Sequence, residues 1–86
     1  MVKVVWTRHA EERQKEWEKK LGITPWEVED LVLNPQQVVP GDHNVLVSQA
    51  KRGKGLLRVL FIEEGTERRV LTLYWTSRIE RYWKEE

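Results

Sequence analysis

The apolar pattern of this chain turns from helical to alternating near residue 36, and that change constrains the fold more than any other feature. Before it, apolar residues recur three and four positions apart; after it, they alternate. The first pattern builds amphipathic helices and the second builds strands with one buried face. A run of helices followed by a run of strands argues an α+β fold, an antiparallel sheet with helices on one face, rather than alternating βαβ units.

The helical half has clear punctuation. "VKVVW" opens the chain as a short β-branched strand. Thr7 is placed to cap a helix over 8–20, with Ala10, Trp17 and Leu21 on its apolar side and Gly22 as its stop. "TPWE" starts a second helix. Thr24 is the N-cap, Pro25 takes the first helical position and Glu27 stands at the capping-box position. Trp26, Val28, Leu31, Val32 and Leu33 supply its broad apolar face, and Asn34-Pro35 ends it. The helices are expected to bury Trp17, Leu21, Trp26, Val28, Leu31 and Val32 against the sheet.

The strand half reads as "QQVVP" and "NVLVSQAK" around a turn at Pro40-Gly41-Asp42. "LLRVLFIEE" and "RRVLTLYWT" follow as a hairpin around Gly65. "SRIERYWKEE" starts like a capping box, with Ser77 and Glu80. The order is β-α-α-β-β-β-α: three to four antiparallel strands, two N-terminal helices on one face and a short C-terminal helix. Strict alternation puts Leu71, Leu73 and Trp75 on the core side of the last strand. Val70, Thr72, Tyr74 and Thr76 fall on the other side. Arg58 shares a side with Leu56, Leu60 and Ile62, so it is either paired or snorkelling to an edge.

Composition narrows the class. Eighty-six residues make one domain, 1–86, burying somewhat over ~60% of its unfolded surface. Charged residues are 34% and hydrophobic ones 40%, the balance of a soluble globular chain. Without cysteine there are no disulfides and no thiolate metal sites, which fits a cytoplasmic location. No apolar run approaches a membrane span, and no signal peptide opens the sequence. Many charges, no cysteine and one methionine lean towards a thermophilic source. Five tryptophans imply either a core padded with rings or an interface.

Several motifs together carry a resemblance. They are Thr7-x-His9-Ala10-x-x-Arg13, Gly22-Ile23 before the second helix, "LNP", "LRVL" and "VLTLY". With these the chain resembles a family of small prokaryotic proteins catalogued as a domain of unknown function. That family is similar in outline to the RelE/ParE superfamily of toxin-antitoxin toxins, particularly its BrnT branch. The resemblance implies a curved antiparallel sheet with two N-terminal helices. It also implies action on messenger RNA at the ribosome for ribonuclease members, gyrase inhibition for others, and a cognate antitoxin as partner. One departure is that Lys19 or Lys20 stands where a second arginine often follows Arg13.

Metal-free RNA cleavage needs a base for the ribose 2′-hydroxyl, cations for charge developing at phosphorus and an acid for the leaving oxygen. The catalytic candidates are His9 as base, Arg13 and Arg58 as cations, and Tyr74, which groups with Thr72, Thr76, Arg78 and Tyr82 where a base could stack. The nucleic-acid-binding candidates are Arg8, Lys51, Arg52, Lys54 and Arg78. From Asn44 to Ile62 there is no acid, and Gly53 and Gly55 let backbone amides approach a phosphate. Each has a plainer alternative. His9 would pack at the strand-helix junction with a ring nitrogen bonded to backbone. The basic turn would be a solvated loop balanced by Glu63, Glu64 and Glu67. The tyrosines would be ordinary sheet packing. No cofactor is expected. His9 with Glu12 and His43 with Asp42 lack the spacing of a metal motif. The competing reading is a non-catalytic interaction module, with self-association or a protein partner on a sheet edge or aromatic surface.

Overall fold

The computed structural model describes residues 1–85. Its elements run β1 (Lys3–Trp6), α1 (Arg8–Leu21), α2 (Pro25–Leu33), β2 (Gln37–Pro40), β3 (Leu46–Arg52), β4 (Gly55–Glu64), β5 (Glu67–Thr76) and α3 (Ile79–Tyr82). The α+β class stands, but the sheet has five strands, ordered β1-β5-β4-β3-β2, not three or four. It is also mixed: β2 to β5 form an antiparallel meander, while β1 pairs parallel with β5, Lys3 opposite Glu67 and Trp6 opposite Val70. Parallel neighbours so distant in sequence leave no local turn signal, which is why pattern alone missed this pairing.

Both N-terminal helices cover one face of the sheet. The core between them joins Ala10, Ile23, Val28, Leu31 and Val32 to Leu57, Val59, Phe61, Val70 and Leu73. Gly22 ends α1 in the left-handed region, φ 69°, its N–H donating to Glu18 O at 2.9 Å. The chain there turns Ile23, not Leu21, into the core: Ile23 is fully buried and Leu21 is exposed. Trp26 is likewise solvated, at 77% exposure. Val28, Leu31 and Val32 point inward, and a residue two positions before Val28 lies on the far side of a 3.6-residue helix. Trp17 is partly buried against the core. Arg68 Nη1 donates to Val32 O at 2.7 Å, satisfying a carbonyl at the α2 C-terminus.

The reversal after β2 lies later than Pro40-Gly41-Asp42. His43 and Asn44, φ 53° and 67°, take the central positions, and Val45 N–H donates to Asp42 O at 3.1 Å. Two positive φ values match a type I′ turn. Near residue 71 strict alternation breaks. Leu60 pairs with Thr72 but Phe61 pairs with Val70, so Leu71 is a bulge residue without a partner on β4. Val70 therefore faces the core with Leu73, contrary to the expected side, and is fully buried. Thr7 fixes this point. Its hydroxyl accepts from Ala10 N–H at 3.1 Å, capping α1, and shares its proton between Val70 O (3.0 Å) and Leu71 O (3.2 Å). Finally, α3 is one turn long. Arg78 rather than Ser77 is its N-cap, and no side chain caps it.

Candidate polar site across the second sheet face

Side chains on alternate positions of β2 to β5 point away from the helices, and four of them stand in one row. Gln37 lies opposite Gln49, Gln49 opposite Arg58, and Arg58 opposite Tyr74. The row is hydrogen-bonded end to end. Gln49 Nε2 donates to Gln37 Oε1 at 2.6 Å, and Arg58 Nε donates to Gln49 Oε1 at 2.9 Å. Arg58 Nη1 donates to the Tyr74 hydroxyl. Gln49 is fully buried and Arg58 is 9% exposed. A polar row at this depth holds only if its members satisfy one another, and register is what brings them together.

The electrostatics of the row are lopsided. Five Arg–carboxylate pairs lie within 4.0 Å among the described residues, and Arg58 is in none of them. Its acceptors are a neutral amide and a phenol, and its Nη2 makes no hydrogen bond among the described residues. Rings supply the remaining contact: the guanidinium carbon is 4.0 Å from the Tyr82 ring centroid and 5.6 Å from that of Tyr74. Burial pushes the Tyr74 phenol above its ordinary 10.0, and the hydrogen bond and charge of Arg58 oppose that rise without cancelling it. The result is a buried cation beside a neutral phenol, with no carboxylate within 4.0 Å of it among the described residues.

The other expected residues divide by location. Lys51 shares the Arg58 face, two positions along from Gln49. Gly53 (φ 61°) and Lys54 form the two-residue β3–β4 turn, and Thr76 pairs with Leu56 beside it, so Arg78 follows at the same end of the sheet. Gly55 has a packing reason: a Cβ there would collide with the Thr76 carbonyl and the Trp75 ring. Arg52 points to the helix face and holds Glu27 through Nε at 2.9 Å and Nη2 at 3.3 Å. Arg8, His9 and Arg13 lie on the exposed side of α1, which packs on the opposite face of the sheet from Arg58. Arg8 reaches Glu12 at 4.0 Å and Arg13 reaches Glu16 at 3.0 Å. His9 is exposed and makes no side-chain hydrogen bond among the described residues, so the buried, backbone-bonded role is overturned. The structure thus brings Arg58, Tyr74 and Tyr82 together with Gln37 and Gln49, and it does not bring His9 or Arg13 to them. The two glutamines were missed in the sequence. Their only signal was a single uncharged amide in each of two short strands, β2 and β3.

No group of three or more metal-binding side chains occurs among the described residues, and none of the described helices is long and apolar enough to cross a membrane. The fold and the buried-cation row define a small α+β protein with a hydrogen-bonded polar row across one sheet face. In structure the chain is similar to the Brucella abortus ribonuclease toxin BrnT, at a TM-score of 0.60 and 19% identity over 90% of this chain and 99% of that one. That likeness shows the fold. No protein-family model matches the chain, and no curated protein matches it in sequence.

Proposed function

We propose that this protein is an RNA-directed, toxin-like domain whose second sheet face binds the phosphate backbone, with a cognate antitoxin as its natural partner. The observation that carries the reading is Arg58: a buried guanidinium with no carboxylate partner among the described residues, flanked by two tyrosine rings. A phosphate would supply the missing charge, and the Tyr74 ring beside it suits an unstacked base. Lys51, Lys54 and Arg78 at the same end of the sheet extend the positive surface. The fold likeness to a ribonuclease toxin supports the choice of RNA over other anions.

In the cleavage form of this reading, the 2′-hydroxyl attacks phosphorus and gives its proton to solvent water, Arg58 stabilises the charge developing at phosphorus, and the neutral Tyr74 phenol protonates the leaving 5′-oxygen and recovers its proton from solvent. His9 and Arg13 belong to it only if one RNA reaches both α1 and the sheet face. The test is binding of a short single-stranded RNA at low salt by wild type and by Arg58→Gln, followed by gel analysis of cleavage. We expect Arg58→Gln to weaken binding by tenfold or more while the domain stays folded. Equal affinity in the two proteins removes the reading.

A non-catalytic interaction module is the second reading, and Trp26 favours it. This ring is 77% exposed on α2, with Leu33 of the same helix also exposed. A solvated tryptophan is a common anchor for a protein partner. Sedimentation of wild type against Trp26→Ser separates the two: a self-associating module loses mass, a monomeric one does not.

A further inference from the structure

The open side of Arg58 is already covered by the chain itself. After β5 the backbone crosses the second sheet face, and the row of polar residues grips it. Gln49 Nε2 donates to Tyr82 O at 2.9 Å. The Gln37 amide donates to Lys84 O at 2.7 Å and accepts from Lys84 N–H at 2.9 Å, so one side chain pairs with the segment as a strand edge would. Lys51 Nζ stands 4.8 Å from the Trp83 ring centroid. The Tyr82 ring lies over the guanidinium, edge-to-face with Tyr74 at 6.5 Å between centroids.

The hold is light for a segment in so central a place. The turn of helix from Ile79 to Tyr82 buries no residue and has no side-chain cap. The Gln37 bonds to Lys84 are exposed, so water competes for them. Segments with few buried apolar contacts open at the low end of a protein's range of local stabilities.

We propose that residues 79–84 form a built-in lid over Arg58. Closed, the Tyr82 ring occupies the stacking place over the guanidinium that an RNA base would take, and the two glutamines hold the lid's backbone. Open, the lid frees the guanidinium, the Tyr74 hydroxyl and both amides together. The identity of the displacing ligand rests on the reading of Arg58 as a phosphate site, but the gating of Arg58 does not.

The experiment therefore has two arms, both on the full chain. The first measures the rate at which phenylglyoxal, a reagent for accessible guanidinium groups, modifies Arg58, followed by peptide mass mapping. Tyr82→Ala removes the covering ring, Gln37→Ala removes the clamp on Lys84, and Tyr82→Phe keeps the ring. We expect roughly tenfold faster modification in each alanine variant and the wild-type rate in Tyr82→Phe, with circular dichroism showing a folded domain. Either alanine variant suffices if the other folds poorly. Equal rates in wild type and the alanine variants overturn the lid. The second arm titrates a uridine oligonucleotide at low salt. Tighter binding by Tyr82→Ala supports a lid over an RNA site. Faster modification with unchanged RNA affinity keeps the lid and rejects RNA as its ligand. Weaker RNA binding by Tyr82→Ala makes Tyr82 part of the binding surface and overturns its role as the ring that blocks RNA.

Discussion

The hydroxyl of Thr7 lies 3.2 Å from the carbonyl of Leu71, the one residue of β5 that the β4 ladder leaves unpaired. The same oxygen caps α1 through Ala10 N–H. One side chain thus joins the start of a helix, the end of a parallel edge strand and a bulge. Thr7→Ala removes the cap and leaves a bulge carbonyl short of a partner. We expect a loss of about 2 kcal/mol in urea unfolding, with Thr7→Ser restoring most of it.

Ser48 makes the opposite case. It sits fully buried between Val38 on β2 and Val59 on β4, and its Oγ has no hydrogen-bond partner among the described residues. A buried hydroxyl without a partner costs its desolvation and returns nothing. Ser48→Ala is expected to raise stability by about 1 kcal/mol, read as a higher denaturant midpoint at unchanged slope. A lower midpoint would mean that the hydroxyl is satisfied.

Burial raises the Tyr74 phenol pKa above 10.0 against the pull of Arg58. The folded state therefore keeps the proton at a pH where the unfolded chain has begun to release it. That contribution is fully present below the unfolded value and is lost as pH climbs through the folded one. Stability should accordingly fall as pH rises above 10.0, and Tyr74→Phe should remove this part of the slope. Paired unfolding curves across that range check it; parallel slopes in the two proteins would contradict it.

Local chemistry was the legible part of this fold. Thr24 accepts from Glu27 N–H at 3.1 Å as its motif implies, and Gly65 turns the β4–β5 hairpin with φ 62°. Even there a detail moved, because the Glu27 carboxylate binds Arg52 across the core boundary. What pattern could not supply was pairing. β1 sits beside β5 through partners far apart in sequence, Lys3 with Glu67 and Trp6 with Val70. The bulge at Leu71 shifts Val70 to the core side of its strand, a one-residue change that alternation cannot foresee. The candidate site depended on pairing too. Arg58 and Tyr74 were visible as singular residues, but the row from Gln37 to Tyr74 exists only in the register of four strands.

Register also decides which residues of the basic turn can meet RNA on the Arg58 face. Arg52 is committed to Glu27, whereas Lys51 and Lys54 bear on the Arg58 side and the turn tip. Lys51→Ala with Lys54→Ala should leave the melting temperature nearly unchanged, since exposed charges contribute little. The dependence of log affinity for single-stranded RNA on log salt should flatten by about 0.7 for each phosphate that a lysine no longer neutralises. An unchanged salt slope would exclude both lysines from the RNA-binding surface.

His9 gives the sharpest test of what the N-terminal motif is for. Thr7 and Ala10 have structural reasons: a cap and anchor in one case, a fully buried contact in the other. His9, between them, is exposed and makes no side-chain hydrogen bond among the described residues, so folding asks nothing specific of it. His9→Gln is therefore expected to change stability by no more than about 0.5 kcal/mol. It should also leave RNA affinity at the Arg58 face intact, because α1 packs on the opposite side of the sheet. Cleavage is the separate readout. A loss of roughly 10²-fold at unchanged affinity would assign His9 as a general base acting on RNA that wraps the sheet edge between β1 and α1. Unchanged cleavage would confine the chemistry to Arg58 and Tyr74 and leave His9 a surface residue.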